Sequence, residues 1–540
     1  MKNSDIARIG TLFFLVGVIL ILSSWNLSYP IHMADLDAVT FTQFHPLIWP
    51  GIILSFMGLF LAGCYSQSKN VKIIYIVLLP IILYSNAFFF SYTPTSDSGG
   101  VKAMFEIFHQ LGINPAAEPY FHYPVFFTLN EMTGQILQVD VNGVASILFL
   151  LFGVLLAIYL LLALFKLTEN SCQIAFFGAL LYFTGLYFHL NYQWVPQTLA
   201  LVFFLLLLIL FDQKRVEYRI LSIIVFTALV FTHLLIPAIF LFFLGFYSTV
   251  KKKELRNSFL LMTCIYVSVL VYYTTFYLST IIDVFKQLTY GFGEEYMTVI
   301  SRSLVEPKGL MSQVIGIVNR SRIPLTWLMV SVGFLAGFIK KKISFTATVL
   351  GVTGGFCLVV GLFYPVLGVR ALQILFIPLV IGVGFFVSKW KKPTLALVAV
   401  LLVLSVFGPM RESYDQYQFQ LKEEEAACNF LANTIPAEES TRLAIGGVNY
   451  GYFMRKFNYV NLDRDEYLDL WIMPPSDPEF YNVFNASMEE NEYLLYNSNL
   501  GKEVVSYGMS TKEVVLIQER VLLCYNKICE CGDTFIIMGG

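Results

Sequence analysis

Apolar runs follow one another with little interruption from Ile9 to Phe407. A helix needs about 20 residues to cross the hydrocarbon of a bilayer. Inside lipid the backbone must satisfy its own polar groups, which favours helices for every such run. Thirteen candidate cores are legible, at 9–27, 47–64, 71–90, 144–165, 172–189, 195–211, 219–235, 237–250, 258–281, 323–339, 343–363, 370–388 and 393–408. The fold class expected is a polytopic α-helical membrane protein with about 13 transmembrane helices. The stretch 220–250 is one apolar run broken only by His233 and Pro237, and reads either as two tight spans or as one span with a re-entrant piece. No small-residue cleavage site follows the first run, where Trp25, Asn26 and Tyr29 stand instead, so it reads as a retained span and not a signal peptide.

Charge sets the expected orientation. With the N-terminus inside, the inner loops collect Lys69 and Lys72, Lys166, the trio Lys214, Arg215 and Arg219, and Lys340 to Lys342, whereas the short outer loops hold almost no Lys or Arg. Merging the seventh and eighth spans would turn the later lysine clusters outward, so the charge pattern favours thirteen. Residues 1–70 then form an N-terminal two-span hairpin and 71–408 a transmembrane core with outer loops 91–143 and 282–322. Residues 409–540 form an extracytoplasmic soluble domain at the cell membrane. The chain as a whole carries 13% charged residues, against about 25% in water-soluble domains. A net charge of −2 gives no case for nucleic acid as a partner.

The outer loop 91–143 is the most informative stretch. Val101, Phe105, Phe108 and Leu111 fall on one helical face, with Lys102, Glu106 and His109 on the other and Gly112 as the stop. This reads as an amphipathic helix lying in the interface plane. Asp97 stands just before it, either as an N-cap or as a base held near a lipid headgroup. The aromatic-proline stretch Tyr120-Phe121-His122-Tyr123-Pro124 follows. Asp35 and Asp37 in the first loop are either solvated or able to hold a divalent cation. His189 and Gln193 flank a span end and are candidates to line a polar cavity. His233 either marks a functional site or hydrogen-bonds a carbonyl freed by Pro237. Arg370 opens the twelfth span on the outer side, either snorkelling to lipid or clamping a substrate phosphate. Arg302, Lys308, Arg320 and Arg322 add positive charge in the loop 282–322.

Residues 409–540 mix helix and strand signals, with a helix expected at 412–431 and strands at 442–445, 513–517 and 534–538, an α/β or α+β arrangement. Its four cysteines, Cys428, Cys524, Cys529 and Cys531, allow three disulfide pairings.

This layout resembles the GT-C superfamily of integral-membrane glycosyltransferases, in particular the archaeal and bacterial relatives of the dolichyl-phosphate-mannose-dependent enzymes. The resemblance rests on Ser96-Asp97-Ser98 opening an outer loop, the amphipathic helix, and Tyr120-Phe121-His122-Tyr123-Pro124. Asn191-Tyr192-Gln193-Trp194-Val195-Pro196-Gln197 before a span, Thr232-His233 and Arg370 add to it. It covers roughly 71–388. The acidic loop follows the third span, not the first, which makes the first two spans an N-terminal addition; the acidic residue is followed by Ser98 where relatives often carry a second acid. The resemblance implies sugar transfer from a polyprenyl-phosphate donor to a saccharide, lipid or protein acceptor, with inversion. Asp97 would be the catalytic base, and Arg370, His122, Tyr123, His189, Gln193 and His233 would bind substrate. A lipid or sugar transporter or flippase, or a non-catalytic envelope-assembly protein, are the alternatives.

Overall fold

The computed structural model describes residues 3–27, 46–66, 68–83, most of 101–112, 119–185, 194–250, 253–272, 310–361, 365–404, 430, 441–445, 492–497, 526–531 and 534–538. Fifteen helices occupy the described apolar region: α1 Asn3–Leu27, α2 Ile48–Tyr65, α3 Lys69–Leu83, α4 Pro124–Leu137, α5 Val141–Leu167, α6 Cys172–Gly185, α7 Pro196–Leu210, α8 Val216–Val230, α9 Leu235–Val250, α10 Lys253–Tyr272, α11 Leu310–Ile339, α12 Phe345–Gly361, α13 Pro365–Leu379, α14 Val383–Lys389 and α15 Lys391–Leu404. Short 3-10 turns lie at Pro119–His122 and Val380–Gly382. Among the described residues six helices are long and apolar enough to cross a membrane. Their outward faces carry large apolar side chains, such as Ile19 at 60% exposure, Leu328 at 62% and Val271 at 66%. A face of that kind meets lipid, not water, and the molecule is built as a helical membrane protein.

Local chemistry explains the helix ends. Asp140 caps α5, its Oδ1 accepting from Gly143 N at 2.8 Å. Pro124 and Pro196 occupy the first turns of α4 and α7, where the missing N–H is harmless. The run 220–250 resolves into α8 and α9, of 15 and 16 residues, joined by a turn at 231–234.

Glycines set how closely α1 and α2 approach. A Cβ on Gly58 would lie 2.3 Å from Phe14 N, and one on Gly17 2.5 Å from Ser55 N. With Gly10 and Gly51 these form two heptad-spaced pairs that let backbone meet backbone. A second such crossing joins α11 to the turn 380–382, where a Gly382 Cβ would lie 2.2 Å from Val330 O.

Three expectations need correction. Val101, Phe105 and Phe108 are buried, as the pattern requires, but Lys102 on the supposed polar face is buried too, at 2% exposure. That helical stretch packs against protein aromatics: Phe108 stacks on Phe127 and meets Phe121 edge-on, and Phe105 meets Trp194. Residues 310–322, expected as the end of a loop, are the first turns of α11, a 30-residue helix with Pro324 inside it. The twelfth core begins at Pro365 and is broken by the 3-10 turn before α14.

Four strands pair as one sheet in the order β1-β2-β4-β3, with β1 Thr441–Ile445, β2 Glu492–Asn497, β3 Asn526–Cys531 and β4 Thr534–Met538. β1 and β2 are parallel; β4 is antiparallel to both β2 and β3, with a bulge between Lys527 and Cys529. The strands expected at 442–445 and 534–538 are β1 and β4. The expected helix at 412–431, the expected strand at 513–517, and Cys428 and Cys524 lie outside the described residues.

Candidate functional site

At one end of the bundle the start of α4, the start of α7, the α8–α9 turn and the first turns of α13 come together. The links are specific. Val125 N, in the first turn of α4, donates to Phe231 O in the α8–α9 turn at 3.2 Å. Trp194, just before α7, donates from Nε1 to Asn130 Oδ1 of α4 at 2.8 Å, and Asn130 Nδ2 donates to Phe126 O at 2.6 Å. Gln197 in α7 donates from Nε2 to Gln373 Oε1 in α13 at 2.5 Å. His109 meets Glu131 of α4 at 2.9 Å, and Gln135 Nε2 donates to the same carboxylate at 2.8 Å. These bonds hold the 119–137 segment over the helix ends.

His233 stands in the α8–α9 turn, outside both helices. Its Nδ1 accepts from Leu235 N at 3.1 Å and from Ile236 N at 3.5 Å, so the imidazole caps α9. The bond to a carbonyl freed by Pro237 is replaced by this cap, because the helix breaks ahead of His233. A ring nitrogen that accepts backbone N–H groups carries no proton, and the other nitrogen then bears the hydrogen. Burial, and secondly the positive charge of Arg370, lower the pKa of His233 and keep the ring neutral. Arg370 lies one helical turn before Gln373, which bonds Gln197 at the start of α7. Burial lowers the pKa of His122, in the 3-10 turn that leads to α4. Tyr123, directly before α4, is buried at 7% exposure.

One more cation belongs to this end. Arg322 of α11 is 2% exposed. A Cβ on Gly185 would touch both Thr326 and Phe376, and Trp327 stacks on Phe376 at 4.6 Å, which sets these residues at one level. Gly382 lies beside Val330 further along, so α11 and α13 run the same way. Arg322 and Arg370 therefore stand about 6 and 9 Å beyond that level, on the same side. Gln373 shares a helical face with Arg370. It is 2% exposed, and its Nε2 has no hydrogen-bond partner among the described residues. Two guanidiniums, a neutral imidazole and a buried amide donor make a setting suited to an anion with oxygen acceptors.

Of the residues singled out in the sequence, His122, Tyr123, His233 and Arg370 are gathered here. Asp97, His189, Gln193, Asp35 and Asp37 lie outside the described residues, as do Arg302 and Lys308. Among the described residues no three His, Cys, Asp or Glu side chains are grouped to hold a metal. Arg322 and the Gln197–Gln373 pair carry more of the site than their places in the sequence suggested. The partners of that pair are 176 residues apart, and only the buried polar character of each gives a signal. No protein-family model and no curated protein matches the chain.

Proposed function

We propose that the protein transfers a sugar from a polyprenyl-phosphate-linked donor to an acceptor at the outer face of the cell membrane, with inversion at the anomeric carbon. One observation carries this reading: Arg370 lies one helical turn from Gln373, which bonds Gln197 at the end of the bundle where Phe231 of the α8–α9 turn bonds Val125, directly after His122–Tyr123–Pro124, and Arg322 lies at the same end. A departing lipid phosphate gains negative charge, and fixed cations in a dry setting stabilise that charge in the transition state. Arg370 meets the phosphate, while Gln373 and Arg322 supply further donors. Asp97 takes the proton from the acceptor hydroxyl, a step that needs a distance of about 2.6–3.2 Å. His233 holds the turn in place through its cap.

The side of the membrane follows from charge. α7 begins at this site and ends where Lys166 pairs with Asp212, with Lys214 and Arg215 beyond. About 22 Å of helix separates the two ends. Basic residues mark the cytoplasmic side, so the Arg370 end faces out. Thirteen crossings bring the C-terminal sheet, as an α/β or α+β domain, to that same side, where it is placed to receive the acceptor.

The test is turnover by purified, reconstituted protein with a panel of polyprenyl-phosphate sugars and saccharide, lipid and protein acceptors. Asp97→Asn is expected to lower turnover by about 10²–10⁴-fold, and Arg370→Gln by about 10²–10³-fold. Both variants are checked for monodispersity first. Equal turnover in Asp97→Asn removes that residue as the base. Absence of turnover with every donor, alongside uptake or flipping of the same lipids, would replace transfer with transport.

A further inference from the structure

We propose that the opposite end of the bundle binds the headgroup of an anionic phospholipid, in a cavity between the ends of α5, α7 and α8. The cavity measures about 710 Å³, and its lining includes Lys166, Asp212, Lys214 and Arg215. Lys166 is already committed. Its Nζ pairs with Asp212, donates to Leu208 O at 3.0 Å and Ile209 O at 3.1 Å, and lies over the Phe211 ring. It thus ties down the end of α7 and neutralises the one carboxylate in the lining.

Lys214 and Arg215 stand at the mouth, with Glu217 following in the first turn of α8 but outside the lining. Both are exposed, and neither side chain makes an ion pair or hydrogen bond with another described residue. Arg215 is also the N-cap of α8 and gives no side-chain cap bond, so the first N–H groups of that helix keep their capacity for an anion. Asn170, Gln213 and Tyr218 add hydrogen-bonding groups around the same space. The rest of the wall is Leu162, Phe165 and Ile209, and Leu162 is 41% exposed on the outer surface of α5. A cavity that is cationic at its mouth and apolar along one wall fits an amphiphile: phosphate at Lys214 and Arg215, acyl chains running along Leu162. Free phosphate would use only the first half of that lining. Basic pockets between spans on the cytoplasmic side take anionic headgroups by this logic.

Binding is measured on the purified full-length protein in detergent, with phosphatidylglycerol, phosphatidylcholine and inorganic pyrophosphate as probes. The wild type is expected to prefer phosphatidylglycerol. The double variant Lys214→Gln/Arg215→Gln should weaken that binding roughly twenty-five-fold, from about fivefold per charge. A control, Lys341→Gln/Lys342→Gln, removes two exposed charges from another basic loop and should leave the preference intact. Four results would overturn the assignment: no preference in the wild type, a preference that survives Lys214→Gln/Arg215→Gln, an equal loss in the control, or pyrophosphate displacing phosphatidylglycerol at equal concentration. Sugar transfer at the far end is not read in this experiment, so failure here and failure of the proposed reaction are distinguishable.

Discussion

A neutral imidazole that caps a helix is sensitive to acid in a defined direction. His233 has a folded-state pKa below its ordinary value of about 6.5, so the unfolded chain binds the proton more readily. Its stabilising contribution is complete above about pH 6.5 and is lost as pH falls from there toward the lowered folded-state value. His122, lowered by burial, acts in the same direction. His233→Leu removes the acceptor for Leu235 N and should destabilise the protein by about 1 kcal/mol at pH 7. His233→Asn keeps an acceptor that suits an N-cap, so its melting temperature at pH 7 should stay near the wild type while its loss between pH 7 and pH 5 becomes smaller. Thermal unfolding followed by intrinsic fluorescence reads both effects, and a Leu variant as stable as the wild type would exclude the cap. His233 was visible in the sequence as a lone polar residue in an apolar run. Its partner was not, since that depends on whether the chain breaks before or after it. Gln373 was less legible still, because an amide in a span gains meaning only when Gln197 arrives from another helix. Arg322 was noticed for its charge but read as loop, because polar residues just before Pro324 look like a helix that has not yet begun.

At the scale of elements, apolar length was the dependable signal. A described helix overlaps each apolar core, since a run that must satisfy its own backbone has one local solution, and six of the described helices are long and apolar enough to cross a membrane. Ends were less secure: α11 starts thirteen residues before its apolar core. β2 and β3 carry polar and charged residues within short runs, so alternation was too weak to mark them. The glycines of α1 and α2 were countable in the sequence, but their facing across a helix pair was not. Gly58→Leu puts a side chain where a Cβ alone would come within 2.3 Å of Phe14 N. Overpacking of that kind typically costs about 1–3 kcal/mol, and here the obstacle is backbone that has no rotamer to change. The variant is expected to lose that much thermal stability, while Gly355→Leu, where a Cβ meets nothing within 4 Å, should be nearly neutral. A Gly58→Leu protein with an unchanged melting curve would mean that α1 and α2 do not approach at this point.

For the whole molecule, the decisive property is that its two ends differ in charge chemistry while sharing the helices between them. At one end Arg322 is buried and Arg370 half-buried, in a region that also holds the neutral His233. At the other, Lys214, Arg215, Lys341 and Lys342 are exposed. α7 joins Gln197 at the first end to the Lys166–Asp212 pair at the second, so the orientation of one end dictates that of the other. The proposed transfer reaction and the proposed lipid site therefore make a single topological commitment. In a cysteine-free background, Gln138→Cys in the turn before α5 lies at the Arg370 end, and Lys342→Cys in the turn after α11 lies at the basic end. A membrane-impermeant maleimide applied to intact cells should label Gln138→Cys and leave Lys342→Cys untouched until the membrane is opened. The reverse pattern would put the Arg370 end in the cytosol, where outer-face transfer from a lipid-linked sugar could not occur, and would move the Lys214–Arg215 cavity to the opposite leaflet. Labelling of both positions in intact cells would separate the two ends from any common set of crossings and remove the proposed thirteen-span topology.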